Sequence, residues 1–215
     1  MVLFEGVWFN PLEENFDFDN PSDVESYKKF KFDLRDVLTV LENEFLNVMY
    51  PYFNLSSRPE NIEIQLHPSL LPAFNFAEKN IRLPFNYYRF GGNRCFDSLK
   101  KTSYECAHEI GHYLHCCVNS KICNGLKKNT HEWCLVETIA ELSALTFFDL
   151  TERKFSEIIG HRQDNSLMRS IYEFYSEKGI DYSLMTIKRL ANLDLEMITL
   201  DLYKIKKNAR MLDLE

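Results

Sequence analysis

The chain has 215 residues, 45% of them hydrophobic and 27% charged, with a formal net charge of −7. That length supports a single domain with a sizeable core, and the small number of Gly and Pro residues argues against long disordered tracts. There is no Lys/Arg cluster to suggest a nucleic-acid surface and no run long enough to span a membrane. Residues 1–10 lack the basic segment of a secretory signal, so a cytoplasmic location is expected.

Residues 2–9 alternate loosely and predict a first strand. Residues 10–22 are acidic, hold Pro11 and Pro21, and read as a loop. Phe30, Leu34, Val37, Leu38, Leu41, Phe45 and Val48 recur at helical spacing and predict a long helix over 23–49, stopped by Pro51. Ile62, Ile64 and Leu66 alternate with polar residues, as in a short strand. Phe74 and Phe76, then Ile81 and Leu83, flank 77–80 in the pattern of a hairpin. Gly91 and Gly92 break the chain. Asp97 or Ser98 can then cap a helix reaching about Val118. A polar loop follows, and Asn129 with Glu132 resembles a capping box for a helix to about Leu150. Four shorter helical segments are expected at 152–160, 165–178, 184–192 and 194–210. The order is a long helix, a small sheet, then helices, which makes an α+β domain. It divides into 1–97 with the long helix and sheet, 98–150, and a helical 151–215. All six Cys lie between Cys95 and Cys134 without a CxxC pair, so reduced thiols are expected rather than a zinc ribbon.

The helix predicted from residue 98 carries His108-Glu109-Ile110-Gly111-His112, an HExxH pattern. At about 100° per residue, His108, His112 and His115 share one stripe, opposite Leu99, Cys106, Ile110, Leu114 and Cys117. Two neutral imidazoles four residues apart can bind one zinc ion, and Glu109 is placed to take a proton from a zinc-activated water. Gly111 allows another backbone to approach closely on that side. His115 lies one turn further on and reads as a polar residue near the helix end.

Zinc needs a third protein ligand. Glu137 shares a helix face with Trp133, Ala140, Glu141, Ala144 and Phe148. That face should be buried, where an unpaired carboxylate would cost several kcal/mol. A metal ligand or a salt bridge to Arg82 or Arg162 would each resolve this. Glu141, one turn on, would orient His108 or His112 through the free ring nitrogen, and the two glutamates could exchange roles.

The segment Tyr104-Glu105-Cys106-Ala107-His108-Glu109-Ile110-Gly111-His112-Tyr113-Leu114, followed by Trp133-Cys134-Leu135-Val136-Glu137-Thr138-Ile139-Ala140-Glu141, resembles the gluzincin type of zinc metallopeptidase in a small, minigluzincin-like form. It also resembles the ImmA/IrrE-type metallopeptidases, where an AHExGHxL helix precedes Glu-x-x-Ala, here Glu137 and Ala140 with Ala144 beyond. The resemblance implies a zincin-like fold, with a small antiparallel or mixed sheet packed on the HExxH helix and a glutamate helix. It implies Zn2+ held by His108, His112 and Glu137, with Glu109 as general base in peptide-bond hydrolysis. It further implies an edge strand upstream of the metal helix that pairs with an extended peptide or protein substrate, with 80–84 or Phe74 to Phe76 as candidates. Such enzymes carry a His or Tyr that stabilises the oxyanion. No local motif marks it here, and His161, Tyr172 and Tyr175 are the candidates. The alternative is a peptidase-like metal-binding regulatory or interaction protein with little turnover. Two features have plainer readings: 92–97 around Cys95 matches a cysteine-switch segment only faintly and lies in the wrong place for a removable pro-segment, and the acidic stretch 13–25 reads as a solvated loop rather than a lid.

Overall fold

The computed structural model describes residues 2–4, 21–67, 72–84, 87–90, 93–96, 99–120, 130–153 and 166–192. The architecture is mixed α+β. In chain order the elements are β1 (Val2–Phe4), α1 (Pro21–Met49), a 3-10 turn (Tyr50–Phe53), β2 (Glu63–His67), β3 (Ala73–Asn75), β4 (Asn80–Pro84), β5 (Tyr87–Phe90), β6 (Asn93–Phe96), α2 (Leu99–Val118), α3 (His131–Leu150) and α4 (Ser166–Leu190).

The inward face of α1 is Leu34, Leu38, Leu41, Phe45, Leu46 and Met49, all buried. Val37, expected on that stripe, stands at its exposed margin. Buried among the apolar residues is Glu42, whose carboxylate accepts from the backbone N–H of Ile62 and so ties α1 to the entry of β2. Pro51 ends α1 as its sequence position suggests, and the chain leaves through a left-handed Asn54.

Four strands form one sheet in the order β1-β2-β4-β3. β1 and β4 both run parallel to β2, and β3 runs antiparallel to β4. The 77–80 connection therefore makes the hairpin its flanking residues predict. Of the two segments considered for a substrate edge, 80–84 is ruled out, because β4 lies between β2 and β3; β3 is at the edge. Ile64, Ile81 and Leu83 point into the core from one face of the sheet. A second sheet pairs β5 with β6 antiparallel, with Phe90 opposite Asn93.

α2 occupies the middle of the molecule and packs against α1, α3, β3 and β4. Its Cys106, Ile110 and Leu114 are fully buried, as the opposite stripe requires, whereas Cys117 is exposed. The histidine stripe is buried as well, His115 included, so α2 is covered on both faces. α3 begins one residue later than its predicted capping box: Thr130 is the cap, its side chain accepting from the Trp133 N–H at 3.2 Å. The segments expected at 165–178 and 184–192 form one bent helix, kinked at Gly179, whose φ of 76° lies in the left-handed half of backbone space. The helices expected at 152–160 and 194–210, the 10–20 part of the acidic loop and the Cys95 side chain lie outside the described residues, apart from 152–153, which are not helical. Cys116 is disulfide-bonded, which corrects the expectation of reduced thiols there; Cys106, Cys117 and Cys134 form no disulfide. Among the described residues no helix is long and apolar enough to cross a membrane.

Candidate metal centre

Two helices build the site, and each contributes a pair of side chains one turn apart. On α2, His108 and His112 bring their Nε2 atoms to 3.1 Å of each other. On α3, the Glu137 carboxylate lies 3.3 Å from His108 Nε2 and 3.6 Å from His112 Nε2. The Glu109 carboxylate joins the same group, with its oxygen and the two imidazole nitrogens all within 4.8 Å of one another. Both histidines and Glu109 are buried; Glu137 keeps 18% of its side chain exposed.

The helices meet this closely because of one small residue on each. A Cβ placed on Gly111 would stand 2.9 Å from Ala140 Cα and 3.1 Å from Ala140 O. Gly111 sits between Glu109 and His112 on α2, and Ala140 sits between Glu137 and Glu141 on α3. The notch therefore sets the distance between the imidazoles and the carboxylates.

His108 is fixed from behind. Its Nδ1–H donates to Glu141 Oε2 at 2.7 Å, and Tyr104 Oη donates to Glu141 Oε1 at 2.7 Å. With the proton on Nδ1, the Nε2 lone pair faces the cluster, which is the tautomer a metal requires. Glu141 thus takes the orienting role and Glu137 the position nearest both Nε2 atoms. Tyr104 was not anticipated, although its place four residues before His108 put it on the same stripe.

Burial, with help from the neighbouring His108, pushes His112 down to about 3, and burial pushes His115 down to about 4. Both imidazoles are neutral at pH 7, so His112 can lend a lone pair. His115 is not the solvated helix-end residue its position suggests, because only 1% of it is exposed.

The donor set fits zinc. Tetrahedral coordination at about 2.0–2.1 Å separates neighbouring donors by roughly 3.3–3.4 Å. The three separations here are 3.1, 3.3 and 3.6 Å. Three carboxyl groups gathered with two imidazoles also make a donor set that suits a dication. Arg82, the sequence alternative as partner for Glu137, instead pairs with Glu78 at 2.9 Å; Arg162 lies outside the described residues.

Of the oxyanion candidates, Tyr175 is not brought to this cluster. Tyr175 is buried on α4 and donates to Asp149 near the end of α3. Asp149 is twelve residues beyond Glu137, about 18 Å along a helix. Tyr172 is half-buried against the hydrophobic core and makes no hydrogen bond among the described residues. His161 lies outside them.

An aromatic wall flanks the histidines on the side of β3. The Phe76 ring lies 6.2 Å from that of His112, Phe74 stacks edge-on against Phe76 at 4.8 Å, and Phe74 meets Tyr113 at 6.1 Å. No family model, no curated protein and no solved structure matches this chain.

Proposed function

We propose that the protein is a zinc-dependent metallopeptidase of zincin-like architecture. The observation that carries this reading is the convergence of His108 Nε2, His112 Nε2 and the Glu137 carboxylate within 3.1–3.6 Å, with Glu109 beside them. Zinc, when bound, supplies Lewis acidity that acidifies a water and polarises a carbonyl.

The chain's own residues then divide the work. His108, His112 and Glu137 hold the ion, and Glu141 with Tyr104 keeps His108 in the binding tautomer. Glu109 is the general base: its carboxylate accepts the proton of the attacking water and passes it to the leaving amine.

An extended peptide is the substrate class best supported. β3 is a sheet edge packed on α2, and Phe76, the residue after it, stands beside His112. A peptide strand added to that edge would lie along the metal helix with its backbone hydrogen-bonded.

The test is zinc content by mass spectrometry together with digestion of a peptide library. Glu109→Gln should retain zinc and lose at least about a hundredfold in kcat. His112→Ala should lose the metal. A fully active Glu109→Gln enzyme would refute the assignment of the base, and unchanged zinc in His112→Ala would refute the site. Zinc without cleavage of any peptide would favour a metal-binding regulatory protein.

A further inference from the structure

The two histidines of the cluster are not held alike. His108 Nδ1 has Glu141 behind it, whereas His112 Nδ1 is buried and has no hydrogen-bond partner. Three residues further along α2, His115 is 1% exposed, and neither of its ring nitrogens has a partner. Seven buried side-chain atoms among the described residues lack a partner, and three of them belong to these two histidines.

We infer that His115 is the positioning residue for His112. The hydrogen-bond needs of the two rings are complementary. With an ion bound, His112 Nε2 gives its lone pair to it, so the neutral ring carries its proton on Nδ1 and needs an acceptor. Neutral His115 has one accepting nitrogen. Side chains three apart on a helix have Cβ atoms about 5–6 Å from one another, the span of one bridging water. Such a water accepts from His112 Nδ1–H and donates to His115, which gives it the two polar partners a buried water needs. The arrangement does for the second histidine what Glu141 does for the first, with a neutral acceptor in place of a charged one. It rests on the metal reading above, because without an ion the 3.1 Å contact between the two Nε2 atoms has His112 donating from Nε2 to His108.

The experiment uses the full chain and the substitutions His115→Phe and His115→Gln, with two readouts. Zinc affinity is measured by competition with a chelator, and the His112 Nδ1 proton is followed in the zinc-loaded protein by long-range proton–nitrogen NMR. His115→Phe keeps a buried ring and removes both nitrogens, so the packing is retained while the bridging water loses its acceptor. It should weaken zinc binding roughly ten- to a hundredfold and expose the His112 Nδ1 proton to exchange. His115→Gln, which retains an acceptor, should stay near the parent in both. Parent-like zinc affinity and an unchanged Nδ1 signal in a folded His115→Phe protein would overturn the proposal. If His115→Phe does not fold, His115→Gln decides: loss of the Nδ1 signal there overturns it, and retention supports it. Failure of the parent protein to bind zinc would defeat the metal reading and this proposal with it, whereas a zinc-binding parent whose affinity His115→Phe leaves unchanged defeats this proposal alone.

Discussion

Gly111→Ala places one methyl group between the two halves of the site. Its Cβ would meet Ala140 Cα at 2.9 Å, whereas carbon atoms rest at about 3.5–4.0 Å. The obstacle is the backbone of a buried helix, so no side chain can swing aside. Relief requires α2 and α3 to separate by at least about 0.6 Å, the shortfall from 3.5 Å. In an exposed helix the substitution would stabilise by about 1 kcal/mol. Overpacking a buried contact costs typically about 1–3 kcal/mol, and a clash with main chain belongs in the upper part of that range. The net expectation is a loss of about 1–2 kcal/mol in the metal-free protein by urea denaturation. Because the separation moves Glu137 from the imidazoles, zinc affinity should fall at least tenfold in a chelator competition. If Gly111→Ala gained the helix-propensity increment and bound zinc like the parent, the notch would not set the site's spacing.

Glu141→Gln removes the charged acceptor behind His108 and should weaken zinc roughly ten- to a hundredfold while leaving His112 in place; unchanged affinity would mean that His108 needs no anchor. Tyr175→Phe should lose about 1 kcal/mol of stability, read from urea denaturation, with zinc content intact, because the bond to Asp149 is remote from the site. The pH dependence follows from the two depressed histidines, at about 3 and about 4 against 6.5. As pH falls through 6.5 the unfolded chain takes up protons that the fold refuses until about 4 or below, so the unfolded state binds more protons in that window and stability falls with pH. Between pH 6.5 and 5 the metal-free protein should lose on the order of 2 kcal/mol per histidine. A flat stability profile over that range would contradict the burial of both neutral rings.

The centre was legible where the chemistry demands fixed spacing. His108 and His112 announce a shared face by their separation, and Glu137 and Glu141 do so on a stripe otherwise built of Ala and Phe. Gly111 could be read as a close-approach residue because only a missing side chain allows it, although the identity of its partner, Ala140, comes from the packing. What the sequence hides is burial imposed from elsewhere. His115 looks like a helix-end polar residue until α2 is seen to be covered on both faces. Val37 looks like core until the width of the α1 stripe is fixed by its neighbours. The kink at Gly179 joins what periodicity alone separates into two helices, and parallel pairing of β1 with β2 spans too much chain to be read from either strand.

The tandem spacing of the site creates a near-degeneracy in how α3 can lie on α2. A slip of one turn, about 5.4 Å, would bring Glu141 to the place of Glu137 and Ala144 to the notch at Gly111. Ala144 is as small as Ala140, so the notch does not by itself forbid the slipped register. The third consequence of the slip does: Leu145 would arrive where Glu141 stands, facing His108 Nδ1 and Tyr104 Oη, both of which donate to that carboxylate. Two buried donors would lose their acceptor, at about 1–3 kcal/mol each. Glu141 therefore acts as a vernier mark between the helices, selecting one of two alignments that the packing of small residues would accept.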